Sequence, residues 1–162
     1  MSASTVDTSL VYAARKGMAD EVHYLIESGA DPNARDGGGL TGLIYAACAG
    51  YNQIVDLLLS SGADPNLDRK GWTPLMSAVH GCNVASIKAL VCAGADINAA
   101  DEHGRTALIM ACARIYATSA VKALLDLGAN PHIRSKENKS AWDEAEDNEH
   151  GAALVLFKSR PP

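Results

Sequence analysis

The feature that most limits the folds open to this chain is a repeat. Gly29-Ala30-Asp31 returns as Gly62-Ala63-Asp64, as Gly94-Ala95-Asp96 and finally as Gly128-Ala129-Asn130, a period close to 33 residues. A second marker keeps the same phase: Thr41-Gly42-Leu43, Thr73-Pro74-Leu75 and Thr106-Ala107-Leu108, with degenerate forms at Thr8-Ser9-Leu10 and Ser140-Ala141-Trp142. Two markers in one phase exclude coincidence. A period of this length marks a solenoid, in which each unit buries its apolar face against its neighbours.

Between the markers every unit follows one physical plan. A short segment with small residues comes first, at Ala13-Ala14, Ala46-Ala47, Ala78-Val79 and Ala111-Cys112. Small side chains let packed helices lie close together. Gly17 and Gly50 then break the first helix in the first two units, as residues that accept left-handed backbone angles. A second, amphipathic run follows, Val22, Leu25 and Ile26 in one unit and Ile54, Val55, Leu57, Leu58 and Leu59 in the next. These spacings predict a helix buried on one broad face. It stops at the recurring Gly, and Asp-Pro-Asn at residues 31–33 and 64–66 supplies turn chemistry. Asn33, Asn66 and Asn98 each follow a Leu (Leu25, Leu58, Leu90) at one fixed distance and are read as tying their loops by hydrogen bonds.

Units of two helices with a TPLH-like opening and a GADxN close resemble ankyrin repeats. The resemblance spans roughly residues 8 to 157 and implies an all-α ankyrin-repeat solenoid forming a single domain over 1–162. The expected repeats are about 5–36, 36–68, 68–100 and 101–134, followed by a degenerate C-terminal cap repeat, 135–162. Repeat one lacks the upstream hairpin arm. Repeat four carries an extra residue between its helices, with Ile115 where Gly is expected. In the cap, Trp142, Ala145, Leu154 and Phe157 take core positions, and the polar stretch from Glu144 to His150 suits a unit with no neighbour beyond it. The His that follows Leu in the family motif is replaced by Ile44, Met76 and Ile109, and its Pro survives only at Pro74.

Composition narrows the function. A formal charge of −5 and a pI near 5.4 argue against a nucleic-acid partner, which usually leaves a basic electrostatic footprint. Cys48, Cys82, Cys92 and Cys112 stand at irregular separations without a CxxC pair, as expected of free thiols in a reducing compartment. The first residues lack the basic and apolar regions of a signal peptide, and no apolar run approaches the ~20 residues of a membrane span. The expectation is a soluble, cytoplasmic monomer that needs no cofactor and no metal and binds neither nucleic acid nor membrane.

In the fold that the resemblance implies, hairpin tips and first helices form a concave groove where a partner sits. Its tips carry Arg69, Lys70 and Trp72 in repeat three, Glu102, His103 and Arg105 in repeat four, and Lys136, Glu137 and Lys139 in the cap. Its first helices contribute Arg15, Lys16, His80 and Arg114. Over these positions eight basic residues face two acidic ones in a chain that is acidic overall, which points to an acidic partner surface steered by charge. Solvated hairpin tips are the plain alternative. Trp72, read as exposed beside two cations, is either an interface anchor or packed against the neighbouring hairpin. Tyr45, Met76, Ser77 and Met110 adjoin it, as adaptable binding surface or as core.

The expected function is therefore a non-catalytic adaptor or inhibitor. A regulatory subunit, or an effector acting on a host protein, is the competing reading. A thiol or metal enzyme is remote: His80-Gly81-Cys82 with Cys92 has no zinc-site spacing, and Gly37-Gly38-Gly39 lacks the Lys and Ser/Thr of a phosphate loop. Cys112 replaces a small core residue and is expected to be inert.

Overall fold

Threonine hydroxyls start three of the helices that build this chain. Thr41, Thr73 and Thr106 have extended backbones, and their Oγ1 atoms accept hydrogen bonds from the amides of Ile44, Met76 and Ile109 at 3.2–3.3 Å. Each satisfies an amide that a helix otherwise leaves unpaired. The computed structural model describes residues 3–159, so the expected cap is seen as far as residue 159.

The helices come in pairs: α1 (Ala3–Lys16) with α2 (Ala19–Glu27), α3 (Gly42–Ala49) with α4 (Asn52–Ser60), and α5 (Pro74–His80) with α6 (Val84–Cys92). α7 (Ala107–Cys112) then pairs with α8 (Thr118–Asp126), and α9 (Ala141–Asp147) with α10 (Gly151–Lys158). Odd-numbered helices stack on one another to make one layer, and even-numbered helices make a second. Antiparallel bridges Arg35–Thr41, Arg69–Trp72 and Ala100–Thr106 close the projecting hairpins; no longer strand forms among the described residues.

The core lies between the layers. Leu10, Leu43, Leu75 and Leu108 supply it from the odd helices, and Val22, Ile54, Leu58, Ile87, Leu90 and Leu124 from the even ones. Ala13, Ala14, Ala46, Ala47, Ala78 and Ala111 are all buried where the odd helices meet. The approach is closest at Gly81. A Cβ there would stand 2.0 Å from the carbonyl oxygen of Cys48 in the preceding repeat. Gly81 has an ordinary right-handed backbone, φ −81°, so space rather than backbone angle demands glycine. Gly50 differs: it ends α3 with φ 76°, the left-handed conformation that favours glycine.

Two expectations need correction. Thr8 does not open a helix, because α1 begins at Ala3 and runs through it. Met76, counted among the groove residues, is buried to 1% exposure, and Ser77 is buried beside it. α5 is short and enclosed, with six of its seven residues buried, so almost none of it is left to face outward.

In the cap, a reciprocal capping box between Ser140 and Asp143 starts α9. Ala145 and Phe157 are buried, Trp142 and Leu154 half-buried, and the Trp142 and Phe157 rings lie 5.6 Å apart.

Leu58 has no exposed surface and sits mid-array, between repeats on both sides. Leu58→Ala should cost about 2–5 kcal/mol in chemical denaturation, the range for truncating a buried leucine. A loss under about 1 kcal/mol would remove it from the core.

Candidate protein-binding groove

Hairpin geometry decides which side chains reach the face formed by the tips and the odd helices. In repeat three the turn is only two residues long, Lys70 and Gly71, with φ 53° and 79°. Positive φ at both positions is the requirement of the tight hairpin turn whose twist matches its flanking strands. Trp72 therefore follows the turn directly and folds back onto α5. Its Nε1–H donates to Ser77 Oγ at 2.6 Å, and its ring meets His80 edge to face at 6.0 Å. Trp72 is half-buried, not exposed, and it packs on the first helix of its own repeat.

Beside it lies a cleft of about 260 Å³ between repeats three and four. Trp72, Met76, Val79 and His80 line it from one repeat, and Arg105, Met110, Ala113 and Arg114 from the next. Six residues singled out in the sequence thus converge here, although Met76 contributes only the edge of a buried side chain to the floor.

The other singled-out residues lie apart. Arg15 covers the ring of Tyr45 at 5.4 Å, and the Tyr45 hydroxyl donates to Asp36 Oδ2 at 2.7 Å. That hydrogen bond, the largest effect on both groups, lowers the Asp36 carboxyl and raises the Tyr45 phenol from their ordinary pKa values. Lys16 lies over Tyr12 at 5.7 Å. Arg69 donates to the Gly38 carbonyl across the repeat boundary. His103 stands 3.8 Å from Glu102, its backbone carbonyl accepts from the Lys136 amide at 2.9 Å, and Lys139 pairs with Asp147 at 2.8 Å.

The balance of eight cations against two carboxylates is corrected by acids that the fold brings to the same face. Asp101, buried, accepts from Arg105 Nε and Nη2 on Oδ2 at 2.9 and 2.8 Å, and from the amides of His103 and Arg105 on Oδ1 at 2.9 Å each. Burial works to raise this carboxyl, but these hydrogen bonds and the Arg105 charge outweigh it and hold it below the usual value. Arg105 and Lys139 are therefore neutralised where they stand. Among the described residues Arg15, Lys16, Arg69, Lys70, Arg114 and Lys136 pair with no carboxylate. The face remains basic, by a smaller margin.

Arg114 also does something the sequence analysis missed. Its Nη1 donates to the His80 carbonyl at 2.9 Å, closing the last turn of α5 from the next repeat. Asn83 does the same for α3, donating from Nδ2 to the carbonyls of Ala47 and Cys48 at 2.8 and 2.9 Å. His150 sets Nδ1 3.3 Å from the Cys112 carbonyl at the end of α7. Three unlike side chains cover the free carbonyls of the preceding helix. The available signal was their common place: each lies in the connection between the two helices of its repeat.

Residues 10–101 match the family model of ankyrin repeats in three copies, and residues 103–136 match that of the single ankyrin repeat. The chain belongs to the ankyrin-repeat family. It is 35% identical over 140 residues to neurogenic locus notch homolog protein 1 of Xenopus laevis, and 34% identical over 139 residues to the Xenopus tropicalis protein of that name. Those matches cover 85% and 84% of this chain but only 6% and 5% of the relatives. Ankyrin repeats mediate protein–protein interaction and are typically non-catalytic modules. No helix among the described residues is long and apolar enough to cross a membrane, and no cluster of three or more His, Cys, Asp or Glu stands in metal-binding range.

Cys112 is buried, and that burial, with a smaller contribution from Glu144, pushes its thiol up to about 12. Cys48 and Cys92 are exposed and Cys82 is half-buried. A thiol reagent should label Cys48 and Cys92 promptly in the native protein and reach Cys112 only on unfolding, as peptide mass mapping would show. Prompt labelling of Cys112 would mean that repeat four opens.

Arg114 Nη2 lies 2.7 Å from His80 Nδ1, and since a guanidinium only donates, Nδ1 must accept and the ring is neutral. Partial burial and then the Arg114 charge lower the His80 pKa. Protonation is thus resisted in the folded state, so stability held above pH 6.5 is lost as pH falls from there through the lowered folded value. By NMR titration His80 should titrate below 6.5, and Arg114→Ala should move it upward. A His80 that titrates at 6.5 and ignores that substitution would break the contact.

Proposed function

We propose that this chain is a non-catalytic adaptor or inhibitor that holds a partner with an acidic surface across its hairpin tips and odd-numbered helices. The observation that carries the reading is the charge on that face. Six cations stand there without carboxylate partners among the described residues, in a chain whose net charge is −5. Basic side chains concentrated on one face of an acidic protein steer an acidic surface toward that face and disfavour a basic one. The family supports protein binding as the general activity; the sign of the partner's charge rests on this chain's own residues.

Lys70 and Lys136 are the positions for a test, being exposed at hairpin tips with no ion pair to disturb. Arg105 is unsuitable, because reversing it would set a glutamate against buried Asp101. A partner retained from a lysate of the source cell by the wild-type chain should be lost at high salt and lost to Lys70→Glu/Lys136→Glu. Retention by that variant at all salt concentrations, with unchanged unfolding, would show that binding lies elsewhere, on the even helices or the cap.

A further inference from the structure

The cleft between repeats three and four has a chemistry more specific than the basic face around it. Its floor is apolar, from Trp72, Met76, Val79 and Met110, and two guanidiniums stand over it. Arg105 commits Nε and Nη2 to Asp101, and Arg114 commits one N–H on each Nη to His80. Arg105 Nη1 and Arg114 Nε keep N–H groups with no acceptor among the described residues. Both side chains are fixed by these contacts, so the remaining donors can be used without a further loss of side-chain freedom on binding.

Size limits the occupant. About 260 Å³ is below the roughly 300–1,000 Å³ of sites for small molecules, and it suits one side chain of a larger ligand. A free anion would leave the apolar floor unused, and a purely apolar residue would leave the guanidinium N–H groups unanswered. Both parts of the cleft are matched by a chain segment whose apolar side chain enters while a neighbouring carboxylate stays at the rim. A planar Trp, a Met and fixed Arg side chains in one depression are the composition of an interface anchor site.

We infer that this cleft is the anchor subsite of the groove, taking one apolar side chain, Leu, Met, Ile or Phe, from a partner segment that carries Asp or Glu within two residues of it. The inference rests on the protein-binding reading above and names the partner chemistry within it.

Panning a display library of short random linear peptides on the full chain tests it. Enriched peptides should share an apolar residue next to Asp or Glu. Ala113 is exposed at the mouth, just after α7, and offers two variants. Ala113→Phe fills the cleft, and Ala113→Asp leaves it open but repels a carboxylate. Both should bind the enriched peptides at least roughly tenfold more weakly, the loss expected at an interface anchor. In a Trp142→Phe background, which leaves Trp72 as the sole tryptophan, the same peptides should shift the indole emission.

If the enriched peptides are acidic and are lost to Lys70→Glu/Lys136→Glu, yet bind both Ala113 variants as tightly as wild type, the cleft inference is overturned and the groove reading stands. Peptides without acidic residues that ignore the charge reversal overturn both. Enrichment of no sequence also overturns the cleft, because a preformed anchor site should hold a peptide on its own.

Discussion

The close approach of successive odd-numbered helices is the constraint on which the other features of this protein depend. Alanines line that contact, and at Gly42 and Gly81 even alanine would be tight or impossible, a Cβ meeting Ala14 Cβ at 3.0 Å in the first case and the Cys48 carbonyl at 2.0 Å in the second. Such proximity brings the free carbonyl end of each short helix within reach of the next repeat. Asn83, Arg114 and His150 exploit that reach. Where the capped carbonyl is buried, as at Cys112, leaving it unpaired costs about 1–3 kcal/mol, so that cap secures the stacking that brings it into place.

A second seam runs along the other end of the helices. Asn33 accepts the Asp64 amide at 2.7 Å and donates to the Gly62 carbonyl at 3.2 Å; Asn66 repeats both contacts with Asp96 and Gly94. Asn98 receives the Asn130 amide at 2.9 Å. Within each loop, Asp31, Asp64 and Asp96 accept the amide two residues on, and Asn130 does the same for His132. The hairpins therefore project from a frame whose backbone groups are paired across repeats. Their tip side chains, Lys136 among them, can vary without loosening it.

The recurrence of Gly-Ala-Asp and Thr-x-Leu made this frame legible, because both serve backbone needs that return identically in every unit. The Asn seam was legible for the same reason. The carbonyl caps were not: Asn, Arg and His share a task but no letter, and each meets its partner only across a repeat boundary. Met76 was left open between core and binding surface because a seven-residue helix enclosed on nearly every side has no polar stripe to mark its outward face. Trp72 was misread because its position depends on the two-residue turn before it, a geometry that follows from Lys70 accepting a positive φ. The charge balance erred for a related reason. Asp36 and Asp101 organise their hairpins from within, and Asp147 reaches Lys139 from α9, so none lay at a tip where it would be counted.

The same contacts make recognition and stability inseparable at the junction of repeats three and four. Lys16, Lys70 and Lys136 end in solvent or over an exposed ring, and exchanging their side chains changes what binds without touching the core. Between repeats three and four, Arg114 is at once the cap on α5, the partner of His80 and a donor at the cleft mouth, while Trp72 is tied to buried Ser77 as well as lining the cleft. A side chain held by two hydrogen bonds is expensive to reposition, which suits a subsite that must be preformed, because binding there then orders little that is not already ordered. A partner could thus be exchanged through the tips, but a change of anchor chemistry would require rebuilding the junction of two repeats.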